Sequence, residues 1–338
     1  MKRIIVTGGA GFIGSALIRE LYRRDKLEAC QITVLDNLST GRGGRLDPFR
    51  EAGGGKFRFV YGDTGDGQAW SKCGEAEEIY HLADIVGIER VTGHPSLTAT
   101  KAVDGAKNAV RHSIYSGAKL FYASTSMIYG PGAPDTEEDR APAFGNHPIW
   151  AYAAAKLIGE HIVRDAQRAH GLRAIIGRFF NVVGPGQDKG SGHVVPKLID
   201  QALRGDRLTI YGTGQQRRSF IHVDDAAVAV CLLMEKLNAI PEEKRTVNIT
   251  AGAPAITIQA LAKIISEAAG SPARKILMKC APGLDNTKTR QATGLRIREI
   301  LGDEWRPESY PGEIIRAIVW EEKHPNLKGI IPEAGKRK

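Results

Sequence analysis

Short β-branched apolar runs alternate with stretches of helical period through the first half of the chain. This alternation predicts βαβ units, and hence a parallel sheet with helices on both faces. Ile4-Ile5-Val6, Ile32-Thr33-Val34-Leu35, residues 56–61, Ile79-Tyr80-His81-Leu82-Ala83 and residues 119–124 read as strands. Their nearly continuous apolar character suits strands covered on both sides. Between the first two, Phe12, Ile13, Ala16, Leu17 and Leu21 share one helical face; longer helices are predicted over 95–116 and 149–170. Phe179, Phe180 and Asn181 end a sixth strand, and Gly184-Pro185-Gly186 breaks the chain there. Beyond it come a helix over 194–204, a short strand over 208–211 and a helix opened by Asp224 and Asp225 and running to Met234. A strand over 246–250 is expected to return to the main sheet, with helices following over 257–269 and 311–324. The fold class expected is α/β: a doubly wound parallel sheet formed by 1–182 with 217–250 returning to it. A smaller, discontinuous α/β part is expected from 183–216 and 251–330, then a basic tail over 331–338. Residues 41–55 are glycine-rich and read as a mobile loop.

The stretch from 2 to 14, KRIIVTGGAGFIG, carries the first chemistry. A chain leaving a buried strand and entering a helix needs one Cβ-free residue at the turn. It needs a second where a pyrophosphate approaches the backbone and a third where helix meets strand; Gly8, Gly11 and Gly14 fit these needs. From Phe12 and Ile13 the helix begins, so its free N–H groups and positive dipole end face the turn, as an anion site for a dinucleotide. The second strand ends in Asp36, where a carboxylate meets the adenosine ribose hydroxyls. A carboxylate there repels a 2′-phosphate and argues for NAD over NADP, although Arg42 and Arg45 lie just downstream. Asn37 follows Asp36; Asp63 closes the third strand, as an adenine contact or a turn acid; Leu82 and Ala83, ending the fourth, should line the cofactor cleft. His81 reads as a packed strand histidine.

At 338 residues, with 42% hydrophobic and 25% charged side chains, the chain has ordinary globular composition and room for a large core. No eighteen-residue apolar run is present and the first strand begins at residue 2, so neither membrane nor signal peptide is expected, and the location expected is cytoplasmic. Cys30, Cys73, Cys231 and Cys280 are scattered, without CxxC pairs or histidine clusters, which speaks against a disulfide framework or a metal site. The net charge of +9 is spread among acids; only Lys336, Arg337 and Lys338 form a run, so no nucleic-acid partner is expected. The surplus can instead attract an anionic substrate.

Two further patterns bear on catalysis. Ser124-Thr125-Ser126-Met127-Ile128-Tyr129-Gly130 places a hydroxyl cluster at the carboxyl end of the fifth strand. Tyr152-Ala153-Ala154-Ala155-Lys156 sets a phenol and an ammonium one helical turn apart, where the ammonium can stabilise a phenolate and bring its pKa down from about 10.

Taken together, TGGAGFIG, DNLSTG, HLA, ASTSMIYG, YAAAK, RFFNVVGPGQ and RRSFIHVDD make nearly the whole chain resemble an extended short-chain dehydrogenase/reductase. The group resembled is that of the nucleotide-sugar epimerases, dehydratases and decarboxylases. The resemblance implies a Rossmann-type sheet, tightly held NAD and a nucleoside-diphosphate sugar, with UDP-sugars foremost. It implies Tyr152 as the base for a sugar hydroxyl proton, Lys156 on the nicotinamide ribose, and Thr125 bonding the reacting oxygen beside Ser126. It also implies substrate contacts from Asn181, from Val195 on a helix covering the nucleotide, from Tyr211 against the base, and from Arg218 and Arg290 on the diphosphate. A homodimer through the helices over 95–116 and 149–170 is implied as well.

Departures from the group point to the reaction. Dehydrating relatives carry Asp-Glu directly after the catalytic threonine, where this chain has Ser126 and Met127, and the decarboxylases carry glutamate where Met127 stands. A thioether exchanges no proton. Ala102 replaces a frequent asparagine, and Ala292-Thr293 a frequent Pro-Asp pair. Epimerisation at C4 needs only tyrosine, lysine, threonine, NAD and room for a keto intermediate, and so leads by elimination. A decarboxylase or dehydratase of the same group, or a silent NAD-binding regulator, stands as the alternative.

Overall fold

The computed structural model describes residues 1–131, 137–271, 275–278, 289–308 and 310–324; Cys280 and the basic tail lie outside them. The chain opens with β1 (Lys2–Thr7), α1 (Phe12–Ala29) and β2 (Cys30–Asp36), followed by α2 (Asp47–Gly53), β3 (Phe57–Tyr61) and α3 (Gly67–Ser71). It continues through β4 (Glu78–His81), α4 (Ile88–Gly93), α5 (Pro95–Ser116), β5 (Lys119–Thr125), α6 (Trp150–His170) and β6 (Ala174–Phe179). Then come β7 (Asn181–Val183), α7 (Val194–Leu203), β8 (Leu208–Tyr211), β9 (Arg217–Arg218), β10 (Phe220–His222) and α8 (Val223–Lys236). The described chain closes with β11 (Thr246–Ile249), β12 (Ile256–Thr257), α9 (Ile258–Ala269), β13 (Lys275–Met278), β14 (Thr289–Arg290), α10 (Leu295–Leu301) and α11 (Pro311–Lys323).

Among the described residues, seven parallel strands form one sheet in the order β11-β6-β5-β4-β1-β2-β3. From β1 the chain winds one way through β2 and β3, then the other way through β4 and beyond. The strand order therefore reverses between β1 and β4, and ligands of such sheets bind at the carboxyl ends of the strands where this happens. The two strands are tied there: Thr7 Oγ1 lies 2.9 Å from His81 Nδ1 and accepts from the Ala83 N–H at 3.2 Å.

Helix burial follows the apolar stripes. On one face, Leu17, Ile18 and Leu21 of α1 pack with α8 residues such as Ala226 and Val230 against Ile4, Val6 and Val34. On the other, Ala106, Ala109 and Val110 of α5 and Val163 and Ala166 of α6 cover Ile5, Ile79, Leu120 and Ile176. A separate apolar cluster joins Val195 and Leu198 of α7, Ile210 of β8, Leu261 and Ile265 of α9, and Ile314 and Ile318 of α11.

Two local expectations need correction. Residues 41–55 are not simply a loop: they hold a 3-10 turn and α2, anchored by the fully buried Leu46. The sixth strand stops at Phe179, because Asn181 begins a separate strand paired with Phe220. Among the described residues, no helix is long and apolar enough to cross a membrane. Cys30, Cys73 and Cys231 are buried.

Candidate active site

The site begins at the glycine turn. Gly8 has φ +70, and a Cβ there would lie 2.8 Å from the Ala83 nitrogen. A Cβ at Gly14 would lie 2.1 Å from the Gly8 carbonyl oxygen, so α1 can start this close to β1 only without one. Gly11 caps α1 without any side-chain bond, leaving the N–H groups of Phe12, Ile13 and Gly14 at an open helix end. Asp36 stands beside it with 7% exposure, accepting from the Ala10 N–H at 3.0 Å and the Leu38 N–H at 2.8 Å. Burial pushes its carboxyl upward, opposed by those two bonds. Leu38 adopts φ 56, a left-handed conformation uncommon for leucine. Asn37 donates to Asp63 Oδ2 at 3.4 Å, and Asp63 also accepts from the Gly65 N–H and pairs with Lys101 at 3.2 Å.

These features fit a dinucleotide: a Cβ-free cradle, an uncapped helix end for the pyrophosphate and an acid for the ribose. Arg45 donates to the Gly186 carbonyl at 2.5 Å and to the Ala10 carbonyl of the glycine turn at 3.4 Å, and the exposed Arg42 lies 3.7 Å from Asp188, so the preference for NAD over its 2′-phosphate is carried by Asp36. Gly14→Ala is expected to weaken NAD binding about 5- to 150-fold, since overpacking here costs about 1–3 kcal/mol. Titration calorimetry with NAD checks this; unchanged affinity would contradict the cradle.

The hydroxyl cluster at the end of β5 divides its labour. Thr125 Oγ1 accepts from the Met127 N–H at 3.2 Å and so fixes the turn that follows, whereas Ser124 turns away and donates to Glu160 Oε1 at 2.6 Å. Ser126 is buried. From α6, Tyr152 packs with Met127 and Ile88 against Val91, Ile149, Trp150 and Ala153, which brings a thioether rather than a carboxylate to the phenol's surroundings.

Lys156 departs from expectation. Its Nζ lies 2.7 Å from Asp84 Oδ2, each side chain 3% exposed, and 4.9 Å from the centre of the Tyr122 ring. Burial, and then the Asp84 carboxylate, raise the Tyr152 phenol well above 10, opposite to the lowering expected from the lysine. The ammonium is drawn onto an acid that the spacing of tyrosine and lysine does not reveal. His81 is packed as expected: 1% exposed, stacked on Tyr122, and lowered to about 3 by burial and then by Lys156. It is neutral at physiological pH.

Arg218 on β9 and Arg290 on β14, read from separate motifs, are direct register partners across a parallel pair. Arg290 is 7% exposed, and Arg218 donates to the Arg217 carbonyl at 2.9 Å. Asn181 donates its amide to the Ser219 carbonyl at 2.8 Å, bracing the segment that carries Arg218. Val195 is 2% exposed, within the apolar cluster of α7 and α9. Tyr211 is half exposed, with Lys197 over its ring at 4.8 Å and donating to its hydroxyl at 3.1 Å.

Behind the reaction centre lies a buried polar network that the sequence motifs did not indicate. Arg178 makes two bonds to Glu160, at 2.9 and 2.8 Å, and donates to the Tyr129 hydroxyl and the Glu138 carbonyl, each at 2.8 Å. The Tyr129 hydroxyl donates to Asn248 on β11 at 2.7 Å. An arginine inside the apolar run of β6 was the available signal, as was an acid directly after HLA for Asp84.

A dinucleotide cradle at the switch point of the sheet, a threonine ending β5, a tyrosine and lysine one turn apart on α6 and paired arginines on a second small sheet are features of an extended short-chain dehydrogenase/reductase. The chain belongs to the NAD dependent epimerase/dehydratase family, whose model matches residues 4–250. It is 32% identical over 313 residues to UDP-glucuronic acid decarboxylase 6 of Arabidopsis thaliana, covering 90% of this chain and 84% of that one. It is also 32% identical over 242 residues to a UDP-N-acetyl-alpha-D-glucosaminuronate decarboxylase of Bacillus cytotoxicus, covering 70% of this chain and 73% of that one. Among solved structures it is similar to the UDP-glucose 4-epimerase of Thermotoga maritima with UDP-glucose: TM-score 0.84, 26% identity, 96% of this chain and 99% of that one. The dTDP-glucose 4,6-dehydratase of Streptomyces venezuelae with NAD bound gives a TM-score of 0.83 at 25% identity, over 96% of this chain and 98% of that one.

Proposed function

We propose that the protein is an NAD-dependent nucleotide-sugar epimerase acting at C4 of a UDP-sugar. The observation that carries this reading is the company of Tyr152: Lys156 follows one turn along α6, Thr125 ends β5 just before the turn that packs against α6, and the apolar cluster that Tyr152 joins includes Met127, which cannot move a proton. NAD, when bound, accepts and returns the hydride. The glycine turn, the α1 end, Asp36, Asn37, Leu82 and Ala83 hold it. Tyr152 takes the proton of the sugar hydroxyl and returns it, Thr125 and Ser126 orient the reacting oxygen, and Lys156 serves the ribose. Arg218 and Arg290 clamp the diphosphate, where paired guanidinium groups make charge-assisted bonds; Asn181, Val195 and Tyr211 shape the nucleotide part formed by 183–216 and 251–330.

Decarboxylation is the second reading, favoured by the Arabidopsis relative matched along 90% of this chain. Incubation with NAD and a panel of UDP-, dTDP-, GDP- and CDP-sugars, followed by NMR of the products, separates the two. A C4-inverted sugar supports epimerisation; carbon dioxide released from a uronic acid overturns it; no conversion with NAD still bound favours a silent regulator. With a productive sugar in hand, Arg218→Ala is expected to raise KM about tenfold or more with a smaller change in kcat, since a charged hydrogen bond contributes about 1.5–3 kcal/mol. A KM within twofold of wild type would remove Arg218 from the clamp. Leu97, Ile114, Tyr115 and Ile158, exposed on α5 and α6, support a homodimer through these helices, and a cytoplasmic setting completes the reading.

A further inference from the structure

We propose that Arg45 pins a strap across the dinucleotide site, formed by residues 41–46 and 184–189, and that this strap governs the entry and release of NAD. The inference needs the NAD site alone and holds whichever reaction follows on the sugar. It gives a task to a cation that neither the glycine turn nor the tyrosine and lysine pattern contains.

The strap starts on the glycine turn itself. Beyond Asp36 the chain folds back, and a Cβ on Gly41 would stand 2.8 Å from the Ala10 Cβ and 3.1 Å from Asp36 Oδ1, so this segment lies against both the turn and the acid beside it. The Ala10 carbonyl accepts from the Arg42 N–H at 3.0 Å and from Arg45 Nη1 at 3.4 Å. A carbonyl oxygen has two lone pairs, and the strap supplies a donor for each. Leu46, fully buried, fastens the end of the segment.

The same guanidinium reaches the second segment. Arg45 Nη2 donates to the Gly186 carbonyl at 2.5 Å, and Arg42 lies 3.7 Å from Asp188. A planar fork suits this post because it holds two acceptors at once. Residues 184–189 also touch the start of α1: a Cβ on Gly184 would lie 3.1 Å from the Phe12 ring, at the helix end whose N–H groups suit a pyrophosphate. Their far anchor is α11, where Glu322 accepts from the Gly186 N–H at 2.8 Å and pairs with Lys189 at 3.2 Å; Lys189 also lies 3.6 Å from Asp200 of α7. Ala10, Phe12 and Gly186 are thereby tied together around the place where a pyrophosphate meets the backbone. A dinucleotide seated there passes the strap on its way in and out, and such closures commonly set release rates.

Every bond of the strap joins protein to protein. Breaking one therefore opens the path in both directions, and it moves the affinity only so far as the free and loaded forms differ in that bond. Stopped-flow fluorescence with NADH measures association, and a chase of the NADH-loaded protein with excess NAD measures release. Arg45→Ala is expected to speed release about tenfold or more, because charge-assisted bonds to two carbonyls are lost, and association should accelerate with it. Glu322→Ala, on α11 and outside the glycine turn, frees the far anchor and should raise both rates in the same sense. Release within about twofold of wild type in either variant, or faster release with association no faster, overturns the proposal. If Arg45→Ala does not fold, Glu322→Ala decides alone. Turnover of none of the sugars would count against the epimerase and leave these rates, and the strap, standing.

Discussion

Tyr152→Phe is expected to lower kcat by about 10²- to 10⁴-fold, the usual contribution of a positioned proton-transfer group. The substitution removes one hydroxyl and keeps the ring that packs with Met127 and Ile88, so folding and NAD affinity should be unchanged. The ion pair between Lys156 and Asp84 does not depend on the phenol and should also persist. Steady-state rates on the productive sugar, with calorimetric NAD titration in parallel, give the measurement. Retained turnover with retained NAD binding would remove Tyr152 from the chemistry. The wild-type rate should itself climb with pH: burial and the nearby acid hold the phenol well above 10, so the ionised base becomes more populated from neutral upward.

The largest expected loss of stability follows Arg178→Met. The guanidinium is 4% exposed and makes bonds to Glu160, Tyr129 and Glu138, so its removal leaves a fully buried carboxylate with, among the described residues, Ser124 and the partly exposed Arg164. Breaking one side of a buried pair costs about 3–5 kcal/mol. Denaturant unfolding at neutral pH measures it. The pH dependence has a definite sign. Burial by itself would raise Glu160, but Arg178, Ser124 and Arg164 more than offset it and hold the carboxyl below its ordinary 4.5. A carboxyl depressed by folding stabilises the native state above its unfolded value, and this contribution is lost as pH falls through the folded one. The gap between wild type and Arg178→Met should therefore narrow below about pH 4.5. A gap under 1 kcal/mol at neutral pH, or one that widens on acidification, would show that the network contributes little.

Local patterns with one physical meaning are legible in the chain. Gly8 and Gly14 follow directly from a strand that must turn tightly into a helix, and the clashes a Cβ would meet at each confirm the demand. Arg218 and Arg290, 72 positions apart and brought together only by the family resemblance, stand as register neighbours across β9 and β14. The failures are of another kind. Ser124 belongs to the hydroxyl cluster by sequence, yet β-strand alternation sends it away from Thr125, toward Glu160. Lys156 was expected to act on the tyrosine four residues before it, but a residue on a different element holds it. The glycine content of residues 41–55 predicts a mobile loop, while the chain there forms a 3-10 turn and α2 fastened by the buried Leu46.

Hydrophobic period and turn chemistry along the chain were thus enough to determine the parallel α/β sheet, the dinucleotide cradle and the pairing of a phenol with an ammonium on one helix. All three depend on neighbours within a few residues. Tertiary structure decided the charge at the reaction centre: it brought Asp84 from the end of β4 onto Lys156 of α6, and Glu160 of α6 onto Arg178 of β6. The reason is one of range. Backbone geometry is set locally, whereas buried charges settle on whichever opposite charge the fold delivers to the same water-free space, however distant it is in sequence.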